Sequence, residues 1–420
     1  MSGYEQMLSS LSDKNGAMVL PVIEDMRQRA GSLLIVNLAA DDDFSPISAY
    51  IAEKHADLAA LGIAFLSEIC ACEDIIIYCG VVDAERIIAE ITAQSTAAIT
   101  VFSGSASPVL RDETALYSAI DTGVIRVNRA ELDYCRDFRS YGYHGRPTLV
   151  IDAETAYQTG RLCKDPDVAA TKLISVINGG TLIMEVETGT SASEFLTNYE
   201  ISDLVLVGGT CGRLVYSEML KDMRISFLYE FDSMRIFSRK ECVVGELAKL
   251  YENIKGISCT KCVMCREGSW QLSAIISDIT KGRANRNDIA LIEDVCPIIR
   301  AGSLCSFGKG MVSPALSATV VSREEMEKHV MSRSCSAGQC VGLIKYIIDP
   351  SLCTGCGECI DSCKEGAIEG KDGFIHIIDN KLCEMCGDCV NACPIQAIKA
   401  DSGNIRTPKK PVKAGRFNQM

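Results

Sequence analysis

Eight cysteines near the end of the chain restrict its fold more than any other feature. Cys353-x2-Cys356-x2-Cys359-x3-Cys363 is followed by Cys383-x2-Cys386-x2-Cys389-x3-Cys393-Pro394, the same pattern shifted by 30 residues. The flanks repeat as well, Ile347-Ile348-Asp349 before one set and Ile377-Ile378-Asp379 before the other. Three thiols at this spacing wrap one face of an iron–sulfur cubane, and the fourth of each run reaches the other cluster. The spacing therefore predicts one [4Fe–4S] on Cys353, Cys356, Cys359 and Cys393, and a second on Cys383, Cys386, Cys389 and Cys363. A zinc ribbon needs four ligands in paired knuckles, not triplets with distant fourth members. Lys364 stands where the first run lacks the proline of the second, which weakens a turn preference and leaves the ligands in place.

The remaining composition sets outer bounds. A chain of 420 residues with 47% hydrophobic content can bury several cores. The net charge of −13 and the lack of a basic stripe argue against a nucleic-acid partner. The longest apolar run, Asp57 to Cys72, is interrupted by Glu68, so direct membrane insertion is not expected. Met1 to Glu5 lacks the shape of a signal peptide. The 22 cysteines fall largely at metal-ligand spacing, which reads as a reducing, cytoplasmic setting.

Residues 1–165 alternate short apolar strands (Leu33–Val36, Asp74–Cys79, Ala98–Phe102) with helical stretches (Ser48–Ala60, Asp83–Gln94). This pattern predicts an α/β domain with a parallel, Rossmann-like sheet covered on both faces. Such sheets bind nucleotides through glycine-rich turns at strand ends. The turn after Val36 is instead Asn37-Leu38-Ala39-Ala40-Asp41-Asp42-Asp43, whose carboxylates would repel a phosphate. Residues 166–237 predict a β-grasp module. Strands Thr171–Ile177 and Thr181–Val186 flank Asn178-Gly179-Gly180, a helix opens at Ser191 and runs to Asn198, and Leu204–Val207 and Arg213–Tyr216 flank Gly208-Gly209.

Residues 238–342 turn helical, with amphipathic spacing over Glu246–Lys255, Gln271–Lys281 and Arg286–Arg300. A helical bundle is the simplest arrangement. Within it Cys259, Cys262 and Cys265 form another cubane triplet, and the fourth ligand is sought downstream. Cys305, followed by Ser306-Phe307-Gly308, is preferred to Cys296; packing of Cys305 as a small apolar residue is the alternative. Residues 343–400 hold the doubled run, a bacterial-type 2[4Fe–4S] ferredoxin domain. Residues 401–420 are a polar tail, expected to be disordered or to dock on a partner. Cys70, Cys72, Cys79, Cys135, Cys163 and Cys211 read as core packing, His55 and His376 as solvated or packed, and His144 as a loop residue.

This order of parts resembles the flavoprotein subunit of multi-subunit hydrogenases and formate dehydrogenases related to the 51 kDa subunit of complex I. The residues that carry the resemblance are Cys259 to Gly268, Ser303 to Gly308, Asp112-Glu113-Thr114-Ala115-Leu116, Gly145-Arg146-Pro147-Thr148 and Glu154-Thr155. The middle module is then SLBB-like. The family's glycine-rich FMN loop is missing, since Arg27-Gln28-Arg29-Ala30-Gly31 leads straight into a strand. The turn that holds isoalloxazine and NADH has become Asn37 to Asp43, and Ile151-Asp152 stand for paired asparagines. The departures imply a member that has lost FMN and NAD(H) and kept its clusters.

The reading that follows is an electron-transfer subunit that relays electrons through three [4Fe–4S] clusters. The alternatives are an FMN-containing NADH dehydrogenase (diaphorase) subunit and a cluster-stapled scaffold. The resemblance implies partners: a thioredoxin-like [2Fe–2S] subunit and a larger ferredoxin-like or catalytic subunit. No catalytic residue is assigned. A structural zinc is expected at Cys242, His329, Cys335 and Cys340, for a Cys3His set satisfies a closed tetrahedron. His329 is placed at the end of a helix, Glu324–Met331. The resembled hydrogenase subunits have cysteine and histidine at matching places. The alternative is two linker thiols, a surface histidine and a packed Cys242.

Overall fold

Leu33–Asn37 is buried along its whole length, as a strand covered on both faces must be. It forms β1 of a four-stranded parallel sheet in the order β3-β2-β1-β4, with β2 Asp74–Tyr78, β3 Ala98–Phe102 and β4 Thr148–Asp152. Leu34, Val36, Ile75 and Ile77 face the helices Ala56–Ile69 and Ala153–Lys164. Leu33, Ile35, Ile76 and Tyr78 face the helix Glu113–Thr122. The first helix pair approaches closely at two glycines: a Cβ on Gly62 would stand 2.0 Å from the Ala156 carbonyl oxygen, and one on Gly160 would stand 1.9 Å from that of Leu58. The expected Ser48–Ala60 helix is two helices, Ile47–Lys54 and Ala56–Ile69, broken at His55. The His55 ring packs between Tyr50 and Tyr157.

The structure, a computed structural model, describes residues 19–80, 82–128, 142–197, 199, 203–401 and 405–417. Cys135, Asn198, the first residues and the last three therefore lie outside the described residues. The chain divides into two units. One comprises residues up to 238 with 250–273 and 292–321; the other comprises 239–249, 274–291 and 322 onward. The helical segment expected as one bundle over 238–342 is thus divided between them. Its helices are Val243–Ile257, Val263–Thr280 and Asp288–Ala301, followed by Ser306–Gly310 and Ser313–Val321.

The first unit also holds a five-stranded sheet in the order β6-β5-β9-β7-β8. Its strands are β5 Thr171–Ile177, β6 Thr181–Glu187, β7 Leu204–Val207, β8 Arg213–Tyr216 and β9 Ser233–Ile236. The last strand enters at the centre, parallel to β5 and antiparallel to β7, which gives the β-grasp arrangement. The short helix Ala192–Phe195 starts at a capping box between Ser191 and Glu194.

In the second unit the doubled run folds as two related halves. Strands β10 Lys345–Ile348 and β13 Ile398–Asp401 pair, as do β11 Ile368–Glu369 and β12 Ile377–Ile378. Each half places a short helix, Glu358–Ser362 or Asp388–Ala392, after a glycine in the left-handed region (Gly357 φ 91°, Gly387 φ 85°). The described part of the tail lies on this domain: Ile375 N donates to Val412 O at 2.7 Å, and Phe374 bridges Lys413. No helix among the described residues is long and apolar enough to cross a membrane.

Candidate metal centres

The doubled run brings its cysteines together across the halves. A cavity of about 140 Å³ is lined by Cys383, Cys386, Cys389 and Cys363, with Tyr346, Ile368 and Ile378. Cys389 lies in the electrostatic field of Cys383, Cys386 and Cys363. Cys359 lies in that of Cys353, Cys356 and Cys393. The turns match the repeat: Gly355 and Met385 are both left-handed (φ 81° and 60°), as are Gly366 and Gln396 (59° and 50°). Backbone N–H groups reach one sulfur in each half, Ala367 to Cys363 at 3.3 Å and Ala397 to Cys393 at 3.2 Å. Burial first, and the neighbouring thiols after it, push the Cys359 thiol up to about 12, so a thiolate there requires a cation beside it. A cubane, which brings iron and takes thiolates, fits this donor set.

The first unit holds the other triplet. Cys259 precedes Thr260, whose positive φ of 60° turns the chain so that Cys262 and Cys265 follow onto the start of the helix Val263–Thr280. Cys305 caps the helix Ser306–Gly310 and accepts from Gly308 N at 3.4 Å. Cys305 is buried close enough to feel Cys259 and Cys265, and burial pushes its thiol up to about 12. Cys296 instead directs its thiol at Val312 O, 3.9 Å away. The geometry therefore gathers Cys305, not Cys296, with the triplet. Cys211 packs behind this site against Gly310 and donates to Phe307 O at 3.6 Å.

A third set is much tighter. The ligand atoms of Cys242, His329, Cys335 and Cys340 all lie within 4.8 Å of one another, and all four residues are buried. His329 Nε2 is 3.3 Å from Cys242 Sγ and 3.3 Å from Cys340 Sγ, and the two sulfurs are 3.5 Å apart. A tetrahedral ion at about 2.0–2.3 Å from its ligands needs edges of roughly 3.5–3.8 Å. His329 sits on the π turn Lys328–Ser332, and its Nδ1 is held 2.8 Å from Glu325 O, which fixes Nε2 toward the sulfurs. The Cys340 thiol draws the Cys242 thiol below its ordinary range against the opposing effect of burial, with His329 adding to the pull. His329 is not at the surface, and Cys242 is not merely packed. A single zinc ion fits these donors, and no other group of His, Cys, Asp or Glu among the described residues converges this closely.

The crevice beyond the parallel strands is built differently. Asn37 Nδ2 donates to Leu110 O at 2.9 Å, and Leu38, Ala39 and Ala40 are buried. Ser107 N donates to Ala39 O and Arg111 Nε to Ala40 O, which ties the neighbouring loop across the strand ends. The side chain of Tyr78 lies so close to Gly104 that a Cβ there would meet its hydroxyl at 2.2 Å. Asp41 accepts from Ser48 N and Oγ, and Asp42 accepts from Phe44 N, Ser45 Oγ and Thr210 N. Asp152 is a helix N-cap that accepts from Thr155 N at 2.7 Å. These carboxylates hold turns and helix starts in place. The hydrogen-bonding groups named here are engaged by the chain itself.

One group is not legible from spacing. Lys172 on β5 is fully buried and pairs with Glu154 at 2.6 Å and with Asp232, which also receives Arg111. A lysine inside the apolar strand Thr171–Ile177 is its sequence signal. Among the remaining residues, Cys79 donates to Phe102 O, Cys70 is buried, and Cys72 and Cys163 are partly buried. His144 contacts Asp121 at the surface.

Comparison with known proteins finds two matching family regions. The iron–sulfur binding region of NADH-ubiquinone oxidoreductase-F matches residues 246–329, and a 4Fe-4S dicluster domain matches residues 352–398. The chain thus carries two iron–sulfur binding regions. The NADP-reducing hydrogenase subunit HndC of Solidesulfovibrio fructosivorans is 35% identical over 137 residues, 33% of this chain and 28% of that one. The NADH-quinone oxidoreductase F subunit of Streptomyces coelicolor is 33% identical over 103 residues, 24% of this chain and 23% of that one. The similarity therefore spans about a quarter of the length of these relatives. A chain of the crystal structure of an H2-reduced NAD+-reducing [NiFe]-hydrogenase superposes with a TM-score of 0.67 at 18% identity, covering 78% of this chain and 62% of that one. At that identity the likeness establishes the fold.

Proposed function

We propose that the protein is an iron–sulfur electron-transfer subunit of a multi-subunit, cytoplasmic oxidoreductase. It would relay electrons through three [4Fe–4S] clusters, with FMN and NAD(H) binding lost. The observation that carries the reading is the cavity lined jointly by Cys363 and the triplet Cys383, Cys386 and Cys389, the exchange of fourth ligands that a two-cluster relay requires. When bound, the clusters supply one-electron chemistry. The chain's own residues hold them, shield them and donate hydrogen bonds to their sulfurs, which sets their potentials. One cluster belongs to Cys259, Cys262, Cys265 and Cys305. The others belong to Cys353, Cys356, Cys359 and Cys393, and to Cys383, Cys386, Cys389 and Cys363.

A relay must hand its electron to another protein. Beside the Cys259 triplet, Val263, Met264, Trp270 and Ile298 are all exposed, an apolar face suited to a partner that carries the next redox centre. The thioredoxin-like [2Fe–2S] subunit and a larger ferredoxin-like or catalytic subunit, implied by the resemblance, are the partners expected there. Zinc at Cys242, His329, Cys335 and Cys340 would be structural, since all four donors come from protein and the set is closed. The reading is tested by anaerobic isolation of the complex from native extract. Co-purification with a second redox subunit, and reduction of all its clusters within turnover, is expected. A monomer with slowly reducible clusters would favour the scaffold, and stoichiometric FMN would favour the diaphorase.

A further inference from the structure

Among the positions at which the two halves of the doubled run differ, one sets a ring nitrogen against a cysteine sulfur. The 30-residue shift that relates the cysteines pairs Tyr346 with His376, and Ala400 with Gly370. Tyr346 lines the cavity of the Cys383 triplet, opposite Ala400 in the β10–β13 pair. It makes no hydrogen bond to a cysteine sulfur among the described residues. His376 occupies the matching place in the other half and does: its Nδ1 lies 3.2 Å from Cys359 Sγ. The ring is buried to 1% exposure, and Nε2 has no hydrogen-bond partner among the described residues.

Gly370 explains how the imidazole reaches this position. A Cβ there would stand 1.8 Å from His376 Cδ2 and 2.8 Å from Nε2. The backbone does not demand glycine at 370, because its φ is not in the left-handed region. The residue is small where the histidine is, and is alanine where the tyrosine is. The tail closes over the same segment, with Ile375 N bonded to Val412 O. A group buried this completely, with one nitrogen left unpaired, loses solvation that only a strong contact offsets.

We infer that His376 donates from Nδ1 to the Cys359 thiolate and thereby raises the reduction potential of the cluster held by Cys353, Cys356, Cys359 and Cys393. Reduction adds one electron and negative charge to that centre, no bond is made or broken, and the proton stays on Nδ1. A donor aimed at the sulfur stabilises the reduced form more than the oxidised one. The backbone donors Ala367 and Ala397 are matched between the halves, so the histidine adds a side-chain donor to one site that Tyr346 does not supply to the other. His376 is thus a positioning residue that makes one site of a duplicated pair the preferred electron acceptor. The inference rests on the proposed two-cluster reading of this domain.

The test is a potentiometric EPR titration of the full chain, reduced with dithionite, in wild type, His376→Phe, His376→Asn and Gly370→Ala. His376→Phe should keep its iron and lower one cluster's reduction equilibrium by about tenfold, 59 mV for a one-electron couple, with the others unmoved. His376→Asn places an amide N–H near Nδ1 and should restore most of the shift. Gly370→Ala displaces the ring and should give a smaller shift of the same sign. Full iron with every potential unmoved, or all potentials moving together, would overturn the role of His376 alone. Loss of clusters in His376→Phe and Gly370→Ala alike would make the histidine a folding residue and overturn it as well. A wild type that takes up no iron would remove the two-cluster reading itself.

Discussion

The crevice of the parallel sheet and the cavity of the doubled cysteine run are built in opposite ways. In the sheet, Tyr78, Ala39 and the loop through Arg111 pack at the ends of β1 and β2, and Asn37 and Arg111 bond to the chain itself. In the ferredoxin domain four cysteines from two halves of the repeat line one cavity of about 140 Å³. A sheet held by its apolar faces keeps its topology while the loops at its ends vary. Side chains that face a cavity without filling it are where function is to be sought.

The strongest way to break the comparison is to remove one cavity cysteine. Cys386→Ala should lose one cubane, about four iron atoms, while the Cys259 site keeps its iron; an unchanged iron content by plasma mass spectrometry would refute the assignment. Next, Cys335→Ser should release the zinc and destabilise the second unit by about 5 kcal/mol, a fraction of what structural zinc supplies to small folds. Calorimetry would register this as a fall of roughly 10–20 °C. Equal zinc and equal stability in the variant would mean that the site is not there.

The remaining predictions concern the filled side. Lys172→Met leaves Glu154 buried without its cation and Asp232 with Arg111 alone, and should cost about 4 kcal/mol by denaturant unfolding. An effect below about 1 kcal/mol would mean that the pair is not buried as placed. Smallest is Gly104→Ala, whose added methyl meets Tyr78. It should cost about 2 kcal/mol if the crevice is packed, and nothing if it is open.

Most of the cysteine chemistry is legible in the sequence because ligand spacing is a local code. Cys259, Cys262, Cys265 and both later triplets announce themselves, and the repeat assigns the exchanged fourth ligands. Strands β1 to β3 are legible because their apolar runs are short and bounded. The central strand β9 is not, since Ser233-Met234-Arg235-Ile236 is too short for its alternation to stand out. The helix expected over Glu324–Met331 ends early, and the π turn that aims His329 has no sequence signature. Composition makes the tail look disordered or bound to a partner, but residues 412–414 pair with the chain's own ferredoxin domain, a contact made by backbone and invisible in composition. His376 reads from sequence as an ordinary packed or solvated residue. Its match to Tyr346 across the repeat is in the sequence, but the hydrogen bond to Cys359 and the space left by Gly370 belong to three dimensions.

The central claim is that this chain holds three cubanes and one zinc on its cysteine-rich side, and no flavin in the crevice of its parallel sheet. Native mass spectrometry of the anaerobically purified, reconstituted protein, with FMN added in excess, reads all of these at once. The predicted result is a single dominant species carrying three [4Fe–4S] clusters and one zinc ion and no flavin. A species that carries one FMN per chain, or one that saturates at two cubanes, would contradict it.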